Sequence, residues 1–474
     1  MLLGNRAKYQ YTLSVHKRLA NTENGCRRRP GWGQAMLFLH LSDIHFKKTE
    51  IGQPDDPNLA LRSDIVRDVR RMRTEIGRPA DGILLTGDVA FAGGTEEYAF
   101  AYKWLEEKLC PEAGCLIDDV FVIPGNHDVD RSAENDIAQN MAREALRAKP
   151  ANEVNGYLRQ WMRSKIASDV IFGPIQEYNR FAAKFLCLLK PYLDNDGAED
   201  LGARPFARRD LPLNDGSTLR LWGFNTVLVS DITDDKDRML IDPAAAQIEE
   251  EDGVCHMVMA HHPFGWLKNG QDFQERCETV AQIQLFGHEH TLRVEEGKYF
   301  LRIRAGAMHP DRNERDWKPG YNWIDVSVDG TDEKRKLVVK VWVRQFATNN
   351  FLAVPDRRGN PIWENSYDLP RWAAPKAVVP QITKAEASTP VLESQTMTTS
   401  APLPPTVRSV TIKLFKLKEH EQRRVITLLK LDRPGDRDMK DYELVVAAVK
   451  RSETLGVLSD MDRLIDKTLA GETL

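Results

Sequence analysis

The sequence predicts a layered α/β fold with helices packed on sheets, followed across a linker by a small all-helical unit. Three observations carry this expectation. From Met36 onward, short apolar runs alternate with amphipathic stretches. Five of those runs end directly in a cluster of Asp, Asn or His, the place where α/β sheets gather ligands. Between about residues 370 and 406 the composition turns rich in Pro, Ala, Ser and Thr, as linkers do.

Met36 to Leu41 forms the first expected strand. It begins abruptly after residues 1–35, which carry Arg and Lys but lack the continuous apolar stretch of a secretory signal. Those residues read as a disordered tail or as sequence upstream of the true start. Leu59, Leu61, Ile65, Val66, Val69 and Met72 recur at helical spacing, and Ile83-Leu84-Leu85 gives a second strand. Tyr98, Tyr102, Leu105 and Leu109 mark a further helix, with a third strand at Val120 to Ile123. Residues 131–200 contain no strand-like run and read as a helical insertion, with Tyr178, Phe181 and Phe185 on one face. Strand signals return at Leu219 to Phe224, Val254 to Ala260, Ile283 to Phe286, Tyr299 to Ile303, Trp323 to Val328 and Leu337 to Val343.

After the linker, Val425, Ile426, Leu428 and Leu429 form one apolar face. Pro434-Gly435 interrupts it, and Tyr442, Leu444, Val445, Ala448 and Val449 form another. Gly456 is placed to stop that helix before a last one with Met461, Leu464 and Ile465.

A chain of 474 residues exceeds what one hydrophobic core usually serves, so two folded units are expected. The net charge of -4 argues against a protein that coats nucleic acid. Six cysteines, of which only Cys110 and Cys115 lie close in sequence, lack the density of a disulfide scaffold and read as thiols in a reducing compartment, the cytoplasm. No apolar run reaches the roughly 20 residues that span a bilayer, so no membrane partner is expected.

The clusters carry the chemistry. In Ser42-Asp43-Ile44-His45, alternation along an extended backbone would put Asp43 and His45 on one side, ready to share a cation. In Thr86-Gly87-Asp88 the glycine permits a tight turn, and Asp88, with two oxygens, could bridge two metals. Pro124-Gly125-Asn126-His127-Asp128 offers an amide oxygen beside an imidazole suited to proton transfer. His261-His262-Pro263 and Gly287-His288-Glu289-His290 add further imidazoles. A single D-x-H or H-x-H arises by chance in a chain this long, whereas five clusters in order at strand ends point to a metal site.

The pattern D-x-H, G-D, G-N-H-[DE], H-x-P and G-H-x-H resembles that of the calcineurin-like metallophosphoesterases over about Met36 to Val343. The resemblance implies a four-layer α/β sandwich of two mixed sheets flanked by helices, with 36–369 as the catalytic domain, 131–200 as its insertion, 370–406 as linker and 407–474 as a small helical domain. It implies that Asp43, His45, Asp88 and His290 ligate one metal and that Asp88, Asn126, His261 and His288 ligate the other. The spacing to Pro263 favours His261 over His262 as the ligand. His127 corresponds to the catalytic histidine, which contacts the phosphate and helps protonate the leaving group, while Asp128 orients its loop. Two divalent ions would polarise the phosphoryl oxygens and supply a metal-bound hydroxide as nucleophile. Mixed nitrogen and oxygen ligation suits Mn, Fe or Zn, with Mn expected foremost.

The motif style resembles the cyclic-nucleotide and glycerophosphodiester branch of the family more than its protein-phosphatase branch, so a phosphodiesterase is expected, acting on nucleotides or cyclic nucleotides. A nuclease is the alternative, with Arg62, Arg67, Arg70, Arg71 and Arg73 on the first helix as phosphate contacts; a solvated helix face paired with Asp64, Asp68 and Glu75 explains them as well. Arg302, Arg304 and His309 follow the last cluster and could reach substrate oxygens. A different class of reading makes the chain a recruitment module or scaffold. Its C-terminal segment Leu417 to Leu469 is similar to small helical adaptor domains of bacterial conflict and defence systems, which implies a protein partner for 407–474.

Overall fold

The structure, a computed structural model, describes residues 34–132, 136–191, 204–309, 318–374 and 404–472. Residues 1–33 of the expected 1–35 tail, Cys26 among them, and most of the linker, 375–403, lie outside the described residues. Among the described residues, thirteen strands form two mixed sheets. The first contains β1 (Met36–Leu41), β2 (Gly82–Leu85), β3 (Val120–Val122), β10 (Gly320–Asp329), β11 (Lys336–Ala347), β12 (Asn350–Ala353) and β13 (Trp363–Asp368). Its order is β12-β11-β10-β1-β2-β3, with β13 also on β11; β1, β2 and β3 run parallel and β10 pairs antiparallel with β1. The second sheet has the order β4-β5-β6-β7-β9-β8, from β4 (Phe206–Pro212), β5 (Thr218–Phe224), β6 (Val254–Ala260), β7 (Ile283–Phe286), β8 (Arg293–Glu296) and β9 (Leu301–Arg304). There β5, β6, β7 and β9 are parallel, and the edge strands β4 and β8 are antiparallel to their neighbours.

The two-residue period of a strand explains how the second sheet serves two cores. Leu219 and Leu221 of β5, Met257 and Met259 of β6, and Ile283 and Leu285 of β7 join a core shared with the first sheet. The alternate residues Trp222, Phe224, Val258, Ala260 and Phe286 face the other way, against Phe273 and Cys277 of α7 (Gln271–Val280). Helix α1 (Leu59–Ile76) buries Leu61, Ile65, Val69 and Met72 in the shared core, as its spacing predicts; of the other two expected positions Val66 is partly buried against that core and Leu59, in the first turn, is exposed. Helix α2 (Thr95–Trp104) continues through Leu105–Leu109 and Cys110–Ala113.

The insertion contributes α3 (Ile137–Arg147), α4 (Ala151–Arg163), α5 (Lys165–Phe172) and α6 (Gln176–Ala183). Tyr178, Phe181 and Phe185 are buried as expected, and the Tyr178 hydroxyl donates to the Val122 carbonyl at 3.0 Å. The first strand after it is β4, which begins at Phe206, before the expected Leu219. Its sequence FARRDLP hides a strand because Arg209 is buried, its guanidinium donating to the carbonyls of Asp119 and Val120 at 3.2 and 2.7 Å. The edge strand β8 (RVEE) is masked by charge in the same way.

Helices α8 (Val407–Phe415), α9 (Glu419–Leu428), α10 (Asp441–Thr454) and α11 (Leu458–Leu469) build their own core from residues such as Val410, Leu414, Val425, Val449, Met461 and Ile465. Leu428, expected on the inner face of α9, is instead 50% exposed, because α9 turns only Val425 and Ile426 fully inward. Beyond that core, Tyr442, Val446 and Ala447 of α10 pack on Ala183 and Leu188, at the end of the insertion. Arg180 pairs with Asp441, and Lys190 reaches Glu443 at 3.0 Å. The five described cysteines are all buried and free, and no helix of the described residues is long and apolar enough to cross a membrane.

Candidate metal centre

All five clusters follow strand ends: β1, β2 and β3 in the first sheet and β6 and β7 in the second. The two sheets bring these ends together, and backbone hydrogen bonds stitch the loops to one another. The N–H groups of Ile44 and His45 both donate to the Asp88 carbonyl, at 2.8 and 2.9 Å, and that of Gly287 donates to the His261 carbonyl at 3.1 Å. Gly87, at φ 95°, has no room for a side chain, since a Cβ there would stand 2.6 Å from His261 Nδ1 and 2.7 Å from the Gly125 nitrogen.

The backbone at the site differs from the extended one expected for D-x-H. Asp43 and His45 adopt φ of 53° and 52°, Asp88 55°, and His288 and His290 70° and 53°. Asp43 and His45 therefore converge through two left-handed residues in a tight loop and not through strand alternation. Non-glycine residues cost about 1–3 kcal/mol in such conformations and persist where their surroundings over-determine them, as at ligand clamps.

One half of the centre joins Asp43, His45 and His290. His290 Nε2 lies 3.3 Å from Asp43 Oδ1, and His45 Nε2 lies 3.1 Å from Asp88 Oδ2. In the other half, Asn126 Oδ1 sits 3.0 Å from both His261 Nε2 and His288 Nδ1, while His261 Nε2 is 3.3 Å from Asp88 Oδ2. Asp88 Oδ2 thus touches both halves. Its other oxygen, Oδ1, accepts the His127 backbone N–H at 2.7 Å, so one oxygen spans the centre where two were expected to share the task.

His261 Nδ1 is 2.8 Å from the Thr86 carbonyl and donates to it, which leaves Nε2 facing Asn126 and Asp88. The neighbouring His262 has Nδ1 on the Thr226 hydroxyl at 2.9 Å. Its Nε2 is buried without a hydrogen bond, and its ring lies 4.4 Å from that of His288. His261 is the member of the pair that meets Asn126 and Asp88; His262 stands behind His288.

His127 is half-buried, with Nδ1 2.8 Å from the Phe91 carbonyl and its ring 4.6 Å from that of His45. Burial lowers its pKa, which the Asp88 charge partly offsets. Asp128 points away from the centre. Its carboxylate accepts from Gly125 N, Ala90 N and the Tyr98 hydroxyl, each at 2.9 Å, and so fixes the loop that carries Asn126 and His127. Burial, with the Asp88 charge, pushes its pKa up to about 6.

Burial opposes ionisation of Asp88, but the charges and hydrogen bonds of His261, His127 and His45 outweigh it and hold the carboxyl well below its usual range. Asp43 is likewise held low, burial being outweighed by His290 and His261. His288 is pushed down to about 3 by burial and by His261. Ionised carboxylates beside a neutral imidazole form a donor set suited to cations. Asp43 Oδ1 is fully buried without a well-formed hydrogen bond, the His290 ring nitrogen standing 3.3 Å away, and a cation would satisfy it. The residues present fit a pair of divalent ions.

Sequence reading missed how His309 acts. It is buried with Nδ1 2.5 Å from the Ile44 carbonyl, and its backbone N–H donates to the Asp43 carbonyl at 3.2 Å. It braces the D-x-H loop, with its ring buried beside Phe46. Arg302 pairs with Glu278 at 2.7 Å, and Arg304 with Glu289 and Glu295. Trp266 was not singled out, yet its ring meets His288 edge to face at 4.0 Å.

A family model described as calcineurin-like phosphoesterase matches residues 36–292. No curated protein matches the chain. Among solved structures, the chain is similar to Vacuolar Protein Sorting 29 from Cryptosporidium parvum at 13% identity, covering 71% of this chain and 100% of that one, with a TM-score of 0.30. It is similar to a 5'-nucleotidase from Candida albicans at 12% identity, covering 64% of this chain and 50% of that one, with a TM-score of 0.32. Zinc-complexed wild-type Vps29 from Entamoeba histolytica matches at 10% identity, covering 70% and 99%, with a TM-score of 0.27.

Proposed function

From the membership of this chain in the calcineurin-like phosphoesterase family, we propose that it is a two-metal phosphodiesterase acting on nucleotides or cyclic nucleotides. The observation that carries this reading is the single oxygen Asp88 Oδ2, within 3.3 Å of ligand atoms from both halves of the centre. Asp43, His45, Asp88 and His290 would hold one ion, and Asp88, Asn126, His261 and His288 the other, with Mn the preferred metal. When bound, the two ions supply Lewis-acid polarisation of the phosphoryl oxygens and activation of a water.

The chain's own residues do the rest. Asp128 and the Asp88 carboxylate fix the Asn126-His127 loop from two sides. The Phe91 carbonyl accepts from Nδ1 of His127 and leaves Nε2 as the nitrogen that, once the ring has taken up a second proton, would pass that proton to the leaving oxygen. The nuclease alternative loses its support on α1, where Arg62 pairs with Asp56, Arg67 with Asp64, Arg70 with Glu112 and Arg71 with Asp68, and Arg73 donates to the Pro111 carbonyl.

The reading extends to domains 36–369 and 407–474 and to a cytoplasmic setting. The half-exposed Leu428 and Leu469 and the more exposed Leu455 support a protein partner for the C-terminal helices. The test of the catalytic reading is hydrolysis of bis-p-nitrophenyl phosphate and p-nitrophenyl phosphate with Mn and with chelator. Metal-dependent release favouring the diester supports it; a preference for the monoester, or release that survives chelation, would sink it.

A further inference from the structure

The loops that carry the candidate ligands also build a second feature beside them. A cleft of about 390 Å³ is lined by Lys236, Trp266, Glu289, Thr291, Arg293 and Arg304. A neighbouring cavity of about 200 Å³ shares Lys236, Trp266, Glu289 and Arg304. Both open next to the metal centre. Trp266 lies five residues after His261, and Glu289 sits between His288 and His290.

Three features give this cleft a chemical preference. Its wall is the half-buried indole of Trp266, held in place from several sides. The ring stands 4.0 Å from that of His288 at an interplanar angle of 85°, Nε1 donates to Glu289 Oε1 at 3.4 Å, and the backbone carbonyl accepts from Met239 N at 2.9 Å. An aromatic wall fixed before binding gives a planar ring a surface at little entropic cost. Three cations, Lys236, Arg293 and Arg304, line it; Arg304 pairs with Glu289 and Glu295, and the exposed Arg293 pairs with Glu295 at 3.1 Å. Lys236 is exposed and makes no ion pair among the described residues, and Arg304 Nε is buried without a hydrogen bond. Its size lies within the range of small-molecule sites.

We propose that this cleft binds a nucleoside phosphate group, with the base against Trp266 and the phosphate on Lys236 and Arg293. It rests on the proposed phosphodiesterase reading for its role, which is to hold the base and a phosphate that is not attacked in a nucleotide substrate carrying more than one phosphate, such as a dinucleotide. A base requires an aromatic surface and an anion requires an available cation, and this cleft supplies Trp266 for the first and the unpaired Lys236, with the exposed Arg293, for the second.

Equilibrium dialysis of AMP against the full chain in chelator tests the cleft apart from catalysis. AMP binds the wild type, ribose 5-phosphate binds at least about tenfold more weakly, and Trp266→Ala and Lys236→Glu each weaken AMP by about tenfold or more. Trp266→Phe, which keeps a ring, retains most of the affinity and guards against misfolding of the alanine variant. Equal binding of AMP and ribose 5-phosphate, no AMP binding, or unchanged affinity in folded Lys236→Glu would overturn the proposal. Cleft-dependent AMP binding without metal-dependent hydrolysis would leave the cleft standing and sink the catalytic reading alone.

Discussion

The backbone N–H of His127 donates to Asp88 Oδ1 at 2.7 Å and leaves Oδ2 as the oxygen that faces His45 and His261. The loop carrying the proposed proton donor is therefore anchored to the residue proposed as metal bridge. This bond belongs to the backbone, so a side-chain substitution at 127 separates proton transfer from metal assembly. His127→Ala is expected to retain both metals by elemental analysis while kcat falls roughly 10²–10⁴-fold. Loss of metal with the side chain would show that His127 is a ligand instead.

Tyr98 supports the same loop from one layer deeper, its hydroxyl 2.9 Å from Asp128 Oδ1 and fully buried. Tyr98→Phe removes a hydrogen bond to a buried carboxylate and is expected to cost about 1–3 kcal/mol in denaturant unfolding. Because Asp128 also holds the Asn126-His127 loop, kcat should fall while KM changes little. A variant as stable as the wild type would remove Asp128 from the account of loop order.

Asp242, outside the proposed ligand set, gives a pH signature of its own. It is buried, one oxygen accepts from Ala244 N at 2.7 Å, and Oδ2 has no partner. Burial pushes its carboxyl up to about 6. A folded value above the unfolded one of about 3.9 means that the native state binds the proton more tightly. Stability is therefore lost as pH rises from about 4 to 6, by up to about 3 kcal/mol. Asp242→Asn keeps the acceptor for Ala244 and avoids the charge. Its melting temperature should exceed that of the wild type at pH 7.5 and match it near pH 4; the opposite order would refute the assignment.

Tyr442 is 1% exposed where α10 meets the end of the insertion, under the Arg180 guanidinium. Tyr442→Ala should cost about 3–5 kcal/mol at that contact. Hydrogen exchange should then accelerate in 176–191 and in α10 but not in β1 or β6. Unchanged exchange in 176–191 would mean that the contact contributes nothing to holding the C-terminal helices.

The sequence revealed strand ends and ligand types because both are local: an apolar run closed by Asp, Asn or His reads the same in one dimension and in three. It did not reveal how the ligands converge. Asp43 and His45 were expected to align by alternation, whereas left-handed conformations at both residues turn them inward. Nothing in Ser42-Asp43-Ile44-His45 signals that backbone, which bonds to Asp88 and His309 impose from distant segments. β4 escaped notice because Arg209 is buried against backbone carbonyls. His309 and Trp266 share the same difficulty, since their roles exist only against Ile44 and His288.

The central claim is a two-ion centre held by one oxygen of Asp88. The direct measurement is titration of Mn into metal-free protein, following bound metal and the electron paramagnetic resonance spectrum in wild type and Asp88→Asn. Two equivalents with an exchange-coupled Mn pair in the wild type, and loss of the coupled signal in the folded variant, are the expected result. A single uncoupled Mn in the wild type, or a coupled pair that survives Asp88→Asn, would contradict the account.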